Sequence, residues 1–287
     1  MLKQVERISD FMGSTRDWAE AKSVIIGIPM DFTTSFRPGT RLGAAAVRGV
    51  SWGIEEYSPY QDRDLADLSY YDAGDMALPF GQVEESLKII EQVTAEVLTA
   101  GKFPLFIGGE HLVSYPIIKE YARRYPDLAV IHFDAHADLR EDYLGNPHSH
   151  ATVMRKVAEL IGPQNVYQFG IRSGTREEFA YGRAKTNFYP FQVLEPLQKV
   201  IPQLQNRSIY VTLDIDVVDP AFAPGTGTAE PGGISAAEML AAIIALKELQ
   251  VVGFDLVEIA PQYDQSERTA LLGAKIVREA LLAFTEK

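Results

Sequence analysis

Three short stretches bring carboxylates and imidazoles together at spacings that suit a metal ion. In Ala129-Val-Ile-His-Phe-Asp134-Ala-His136-Ala-Asp138, an apolar run turns polar at its C-terminal end. If extended geometry persists through it, Asp134, His136 and Asp138 project to one side, because side chains alternate with period two along a strand. Two carboxylates and an imidazole crowded on one side repel unless a cation or solvent fills the space between them. The competing reading is a solvated acidic strand end on which His136 merely caps a carboxylate. A second run, Ile209-Tyr-Val-Thr-Leu-Asp214-Ile-Asp216, again ends in carboxylates at i and i+2 and weighs against it. A third, Phe103-Pro-Leu-Phe-Ile-Gly-Gly-Glu110-His111, delivers a histidine just past an apolar run, where paired glycines permit a tight turn or a close backbone approach.

All five histidines, His111, His132, His136, His148 and His150, fall in one short stretch, which shifts the reading towards a site. The candidate ligands His111, Asp134, His136, Asp138, Asp214 and Asp216 are too many for one tetrahedral zinc and rich enough in oxygen for two octahedral-type ions. With no cysteine in the chain, thiolate sites are excluded. Mn2+ suits such a shell best, with Co2+, Ni2+, Fe2+ or Zn2+ as substitutes. Four carboxylates against two divalent cations leave a nearly neutral cluster that can hold a bridging hydroxide as nucleophile near neutral pH. His132 lies among apolar residues and is expected to be hydrogen-bonded in the core rather than a ligand.

The elements that must position these residues are short apolar runs separated by helical patterns. The runs are Ser23 to Pro29, Phe103 to Ile107, Ala129 to Phe133, Val166 to Ile171, Ile209 to Ile215 and Val251 to Val257, and they suit strands buried on both faces. Between them Val83, Leu87, Ile90, Val93 and Val97 keep helical spacing, with Gly101 placed to cap that helix. Ser235 with Glu238 reads as a capping box opening a helix through Met239, Leu240, Ile243 and Ile244. Strand-helix alternation predicts an α/β fold with a mainly parallel sheet, whose strand carboxyl ends are where ligands bind. No linker interrupts the pattern, so a single domain over 1–287 is expected.

Composition narrows the function further. The 27 Lys and Arg against 39 Asp and Glu give a formal charge of −12, which opposes nucleic-acid binding and suits a cationic small substrate. Met1 to Glu20 has no continuous apolar stretch and no later run is long enough to span a bilayer, so a cytosolic protein without a membrane partner is expected.

The motifs Gly108-Gly-Glu-His111, Phe133-Asp-Ala-His-Ala-Asp138, Ser149-His-Ala-Thr152, Thr212-Leu-Asp-Ile-Asp-Val-Val-Asp-Pro220, Pro224-Gly-Thr-Gly-Thr228 and Val257-Glu-Ile259 resemble those of the ureohydrolases, the family of arginases, agmatinases and their relatives. Within that family the chain is most similar to the bacterial agmatinases. Asp31-Phe-Thr-Thr-Ser-Phe-Arg-Pro-Gly-Thr-Arg41 and Tyr71-Asp-Ala-Gly-Asp75 extend the likeness over most of the chain. The resemblance implies a three-layer αβα fold, two Mn2+ per subunit and hydrolysis of a guanidinium group to urea and an amine. It implies that one ion takes His111, Asp134, Asp138 and Asp214 and the other Asp134, His136, Asp214 and Asp216. Asp138 would steer the attacking hydroxide and pass a proton to the leaving amine, His150 would exchange protons with solvent, and Glu258 would orient the guanidinium. A homo-oligomer, trimer or hexamer, is also implied.

Arginases hold the substrate's carboxylate and amino group with polar residues of the loop after the Asp-x-His-x-Asp motif. Here that loop reads Leu139-Arg-Glu-Asp-Tyr-Leu-Gly-Asn-Pro-His148, and its acidic residues suit a plain ammonium better than a carboxylate. Agmatine is therefore the expected substrate, with arginine, guanidinobutyrate, proclavaminate-type and formiminoglutamate-type compounds as alternatives because Arg140 offers a carboxylate partner. A binuclear phosphoesterase or deacetylase and a non-catalytic metal-binding relative are the readings from other classes. Arg37 and Arg41 are read as neutralising nearby acids, reaching a neighbouring subunit or lying in a solvated turn, and the Pro224 to Thr228 loop as shaping the pocket.

Overall fold

Apolar runs with no polar face cannot lie at a surface, and here they sit side by side in the middle of a sheet. Ser208–Asp214, Ala129–Phe133 and Ser23–Gly27 are buried along their whole lengths. The structure, a computed structural model, describes residues 3–6, 9–15 and 17–285. The parts of the Met1 to Glu20 and 1–287 readings that fall on residues 1, 2, 7, 8, 16, 286 and 287 lie outside it.

In chain order the strands are β1 (Val5–Glu6), β2 (Ser23–Gly27), β3 (Tyr57–Ser58), β4 (Arg63–Asp64), β5 (Tyr70–Met76), β6 (Phe103–Ile107), β7 (Ala129–Phe133), β8 (Val166–Phe169), β9 (Asn187–Tyr189), β10 (Ser208–Asp214) and β11 (Gln250–Val257). The helices are α1 (Gly43–Ser51), α2 (Val83–Thr99), α3 (Ser114–Arg124), α4 (Val153–Ile161), α5 (Arg176–Lys185), α6 (Leu194–Leu204), α7 (Ala236–Ala245) and α8 (Arg268–Phe284). Nine strands form one sheet in the order β1-β5-β2-β6-β11-β10-β7-β8-β9, while β3 and β4 pair separately. Among the described residues of the large sheet, the edge pair β1 and β5 is antiparallel and every other pair parallel.

Alternate side chains of each strand feed two apolar layers. Ile25, Leu105, Ile131, Val211 and Phe254 pack with α1, α6, α7 and α8, whereas Val24, Phe106, Val130 and Tyr210 pack with α2, α3 and α4. The result is the three-layer αβα arrangement expected. β5 was not anticipated, because Asp72, Gly74 and Asp75 make it look like a turn. Their charge is accounted for by Arg48 of α1, whose Nε donates to Asp72 Oδ2 at 2.8 Å and whose Nη1 reaches Asp75.

The helix ends largely follow the local signals. Gly101 takes φ 70° and its N–H reaches Leu98 O, closing α2. Ser235 Oγ accepts the Glu238 N–H at 3.1 Å. The reciprocal half of the expected capping box does not form: Glu238 Oε1 accepts the Leu194 N–H at 3.4 Å and ties the start of α7 to the start of α6. Among the described residues no helix is long and apolar enough to cross a membrane. Ser235→Ala removes the remaining cap, and urea unfolding should show a loss of about 1 kcal/mol; unchanged stability would contradict the cap.

Candidate metal centre

The neighbouring parallel strands β6, β11, β10 and β7 end along one edge. Ile107 lies beside Leu256, Val257 beside Asp214, and Leu213 beside Phe133, so the residues that follow these positions are brought together. His111 comes from the turn after β6, Glu258 directly after β11, Asp134 directly after β7, and Asp214 closes β10 with Asp216 in the 3-10 turn beyond it. The paired glycines serve close approach: a Cβ on Gly109 would stand 1.8 Å from Met30 O, which accepts the Glu110 N–H at 2.7 Å.

Extended geometry does not persist through Asp134 to Asp138, contrary to the alternation argument. The chain leaves β7 at Phe133, and Asp138 turns with φ 52°. Glu258 is likewise left-handed at φ 66°. Such backbone is uncommon for residues with a side chain and persists where the surroundings over-determine it. The groups converge nonetheless. His111 Nδ1 lies 3.0 Å from Asp134 Oδ2, 3.3 Å from Asp214 Oδ2 and 3.5 Å from Asp138 Oδ2. His136 Nδ1 lies 2.9 Å from Asp216 Oδ2 and 3.6 Å from Asp134 Oδ1. Asp134 thus belongs to two overlapping groups that could hold metal, one with His111, His132 and Asp138 and one with His136 and Asp216.

Two buried atoms test whether a cation fits. His111 Nδ1 and Asp216 Oδ2 make no hydrogen bond, although each has an oppositely charged neighbour within 3.0 Å. His111 Nε2 is 3.0 Å from Thr212 Oγ1, and the Thr212 hydroxyl donates to Asp255 Oδ1 at 2.6 Å. With its own proton spent, Thr212 accepts from Nε2–H and leaves the Nδ1 lone pair facing carboxylate oxygens. A lone pair aimed at anions is unfavourable unless a cation, a proton or a metal ion, lies between, so the donor set fits metal.

His132 does not compete for that role. Gln168 Nε2 donates to its Nδ1 at 3.2 Å and to Ala137 O at 2.9 Å, while Gln168 Oε1 accepts from Thr186. His132 therefore presents Nε2–H to Asp134 Oδ2 at 2.8 Å, supporting the carboxylate rather than ligating.

The titration behaviour has the same origin. Burial alone would push His111 and His136 down, but Asp134 and Asp214 around the first and Asp216 and Asp134 around the second raise both well above the ordinary range. Burial and the neighbouring charge of Asp134 push Asp138 up, and burial with Asp216 and Asp134 does the same to Asp214. Asp134 is held well below the usual carboxylate range, the surrounding histidines outweighing its burial. Burial pushes Glu258 up to about 8, even though its Oε1 accepts the His111 N–H at 2.8 Å. The cluster demands positive charge, which protons supply where metal does not.

A cavity of about 260 Å3 opens over His136 and Asp138, and His150, Ser35, Arg140, Tyr143 and Thr228 also line it. His150 sits in the turn capped by Ser149 and Thr152. Its N–H reaches Thr33 Oγ1 at 3.0 Å and its Nε2 lies 3.1 Å from Ser35 Oγ. Burial, with the charges on His136 and His111, pushes its pKa down to about 4. Thr33 in turn donates to Glu110 Oε2 at 2.8 Å, so Glu110 anchors the loop that anchors His150. His148 stands apart, its Nδ1 3.9 Å from Glu84. Arg41 pairs with Asp31 at 3.0 Å, and Arg37 stacks on Phe36 and Tyr263. Sequence reasoning passed over Glu110, Gln168, Thr212 and Asp255. The signal for Gln168, Thr212 and Asp255 is a polar residue inside an otherwise apolar strand; Glu110 carries none.

A sequence model of the arginase family matches residues 21–283. The chain is similar to the agmatinase of Bacillus subtilis (strain 168), at 56% identity over 279 residues that cover 96% of each protein. It is also similar to the guanidinobutyrase of Pseudomonas aeruginosa, at 34% identity over 90% of this chain and 85% of that protein. Among solved structures, the agmatine ureohydrolase of Thermoplasma volcanium matches with a TM-score of 0.88 and 32% identity, covering 96% of this chain and 94% of that one.

The raised proton affinities of Asp138, Asp214, His111 and His136 mean that a cation entering the cluster displaces protons. Affinity should therefore rise with pH and fall as pH is lowered. Mn2+ titration calorimetry in buffers of differing ionisation enthalpy should register net proton release near neutral pH. Zero release with a pH-independent affinity would contradict the assignment of this cluster.

Proposed function

The chain belongs to the arginase family, and on that premise we propose that it is a binuclear metal hydrolase that cleaves agmatine to urea and putrescine. The observation that carries the reading is the orphaned His111 Nδ1 among three aspartates, at the mouth of which stands a cavity lined by His136, Asp138 and His150. The choice of agmatine is supported by relatives bearing that activity at 54–56% identity over 96% of the chain. The chain's acidic balance, −12 overall, favours such a dication.

Two Mn2+ would be held by His111, Asp134, Asp138 and Asp214 on one side and by Asp134, His136, Asp214 and Asp216 on the other. Once bound, the pair would supply the charge that lowers the pKa of water and so provides a nucleophile near neutral pH. Asp138 would take a proton as water attacks the guanidinium carbon and deliver it to the departing amine nitrogen. Glu258 uses Oε1 to accept the His111 N–H and offers its remaining oxygen to the guanidinium, which supplies the positive charge the buried carboxyl lacks. His150, with a pKa pushed down to about 4, is neutral at physiological pH, and its imidazole would relay protons between the site and solvent. Ser35 holds its Nε2 edge and Thr33 its backbone. By family likeness we extend the proposal to a single domain, a homo-oligomer and a place in cytosolic polyamine formation.

The test is urea release by the Mn2+-loaded protein from agmatine, arginine and 4-guanidinobutyrate in parallel, with formamide release followed from formiminoglutamate. Urea from agmatine at a rate well above the others is expected. No release from any of them at verified metal occupancy, with hydrolysis of a phosphate ester instead, would overturn the reading. Asp134→Asn should abolish both metal binding and turnover, since Asp134 belongs to both groups; full activity in that variant would sink the ligand assignment. Glu258→Gln should keep the metal yet lose on the order of a hundredfold in kcat/KM, the scale of a lost charged contact to the reacting group.

A further inference from the structure

Arg140 brings a permanent positive charge to the wall of the cavity, beside His136, Asp138 and His150. A guanidinium standing free there would repel the ammonium end of a diamine-like guanidine and attract a carboxylate end. It does not stand free. Arg140 Nε lies 3.3 Å from Glu178 Oε2, and its guanidinium carbon sits 5.2 Å from the centre of the Tyr143 ring.

Glu178 is fixed independently of Arg140. Its side chain is 4% exposed, against 37% for Arg140. Glu178 Oε1 accepts the Leu139 N–H at 3.1 Å and Oε2 accepts the Thr175 N–H at 2.8 Å. The Thr175 hydroxyl accepts the Glu178 N–H at 3.2 Å, closing a capping box at the start of α5. Two backbone segments therefore hold this carboxylate in place, one of them the residue next to Asp138. It cannot swing out to follow a substrate, but it can stand permanently opposite Arg140.

We propose that Glu178 and Arg140 form the charge filter of the cavity. Glu178 cancels Arg140, so that guanidines with a cationic far end enter and those ending in a carboxylate gain no partner. The proposal rests on the reading of the protein as a guanidine hydrolase and names the residues that set which guanidine it prefers.

The experiment compares agmatine with 4-guanidinobutyrate, both by kcat/KM and by calorimetric binding to the Mn2+-loaded protein. Glu178→Gln removes the countercharge and keeps one acceptor oxygen for the capping box, giving up one of the two backbone hydrogen bonds. It should raise the guanidinobutyrate-to-agmatine ratio on the order of tenfold, mainly through KM and binding, as expected for one partly solvated charge. Arg140→Met should move the ratio the other way, because Glu178 then faces the cavity uncompensated. Opposite shifts in the two variants distinguish a filter from a structural role, which would lower both substrates together. Unchanged ratios, or shifts of the same sign, would overturn the proposal. If the wild-type protein turned over neither compound, the assigned reaction would fall, while the binding ratios would still decide the filter.

Discussion

Like charges buried together define this molecule. Asp134, Asp138, Asp214 and Asp216 lie at the ends of β7 and β10, all nearly removed from solvent, with His111 and His136 wedged among them. Carboxylates in so small a volume cannot all ionise unless positive charge is supplied between them. The fold answers in part: Asp134 takes the His136 N–H, Asp216 the Ala135 N–H and Asp214 the Asp216 N–H. What backbone donors leave unanswered is the charge itself. That deficit is why the histidines hold protons so tightly when no metal ion stands between the carboxylates.

The surrounding polar network gives the cluster its shape. Thr186, Gln168 and His132 form a chain that ends on Asp134, and Tyr210, Asp255 and Thr212 form another that ends on His111. Each fixes which ring nitrogen carries the proton, so the ligand edge is decided before any ion arrives. A third chain, from Glu110 through Thr33, ends on the His150 backbone N–H and fixes the position of that residue in the cavity wall. The left-handed backbone is tied down at both positions: the Arg155 N–H donates to Asp138 O at 3.0 Å and the Glu258 N–H to Gly109 O at 2.9 Å.

Much of this was legible in the residues. Alternating apolar runs and helical patterns reveal the parallel sheet, and carboxylates at the ends of two runs reveal the ligand edge. β5 was hidden because its aspartates are neutralised by Arg48, a partner 24 and 27 residues earlier in the chain that no local pattern announces. The turn at Asp138 escaped because alternation says nothing about where a strand stops. Glu258 looked like a surface acid on its own, whereas the structure buries it against His111. Pairing between distant residues, such as Glu178 with Leu139 and Arg140, likewise becomes visible only once the chain is folded.

Metal stoichiometry tests the central claim most directly. The protein would be saturated with Mn2+, freed of loose metal, analysed for manganese per chain and examined by electron paramagnetic resonance. Two ions per chain with a spin-coupled spectrum are predicted, because both candidate groups share Asp134 and must lie close together. One ion per chain, or two that behave as isolated centres, would contradict the account.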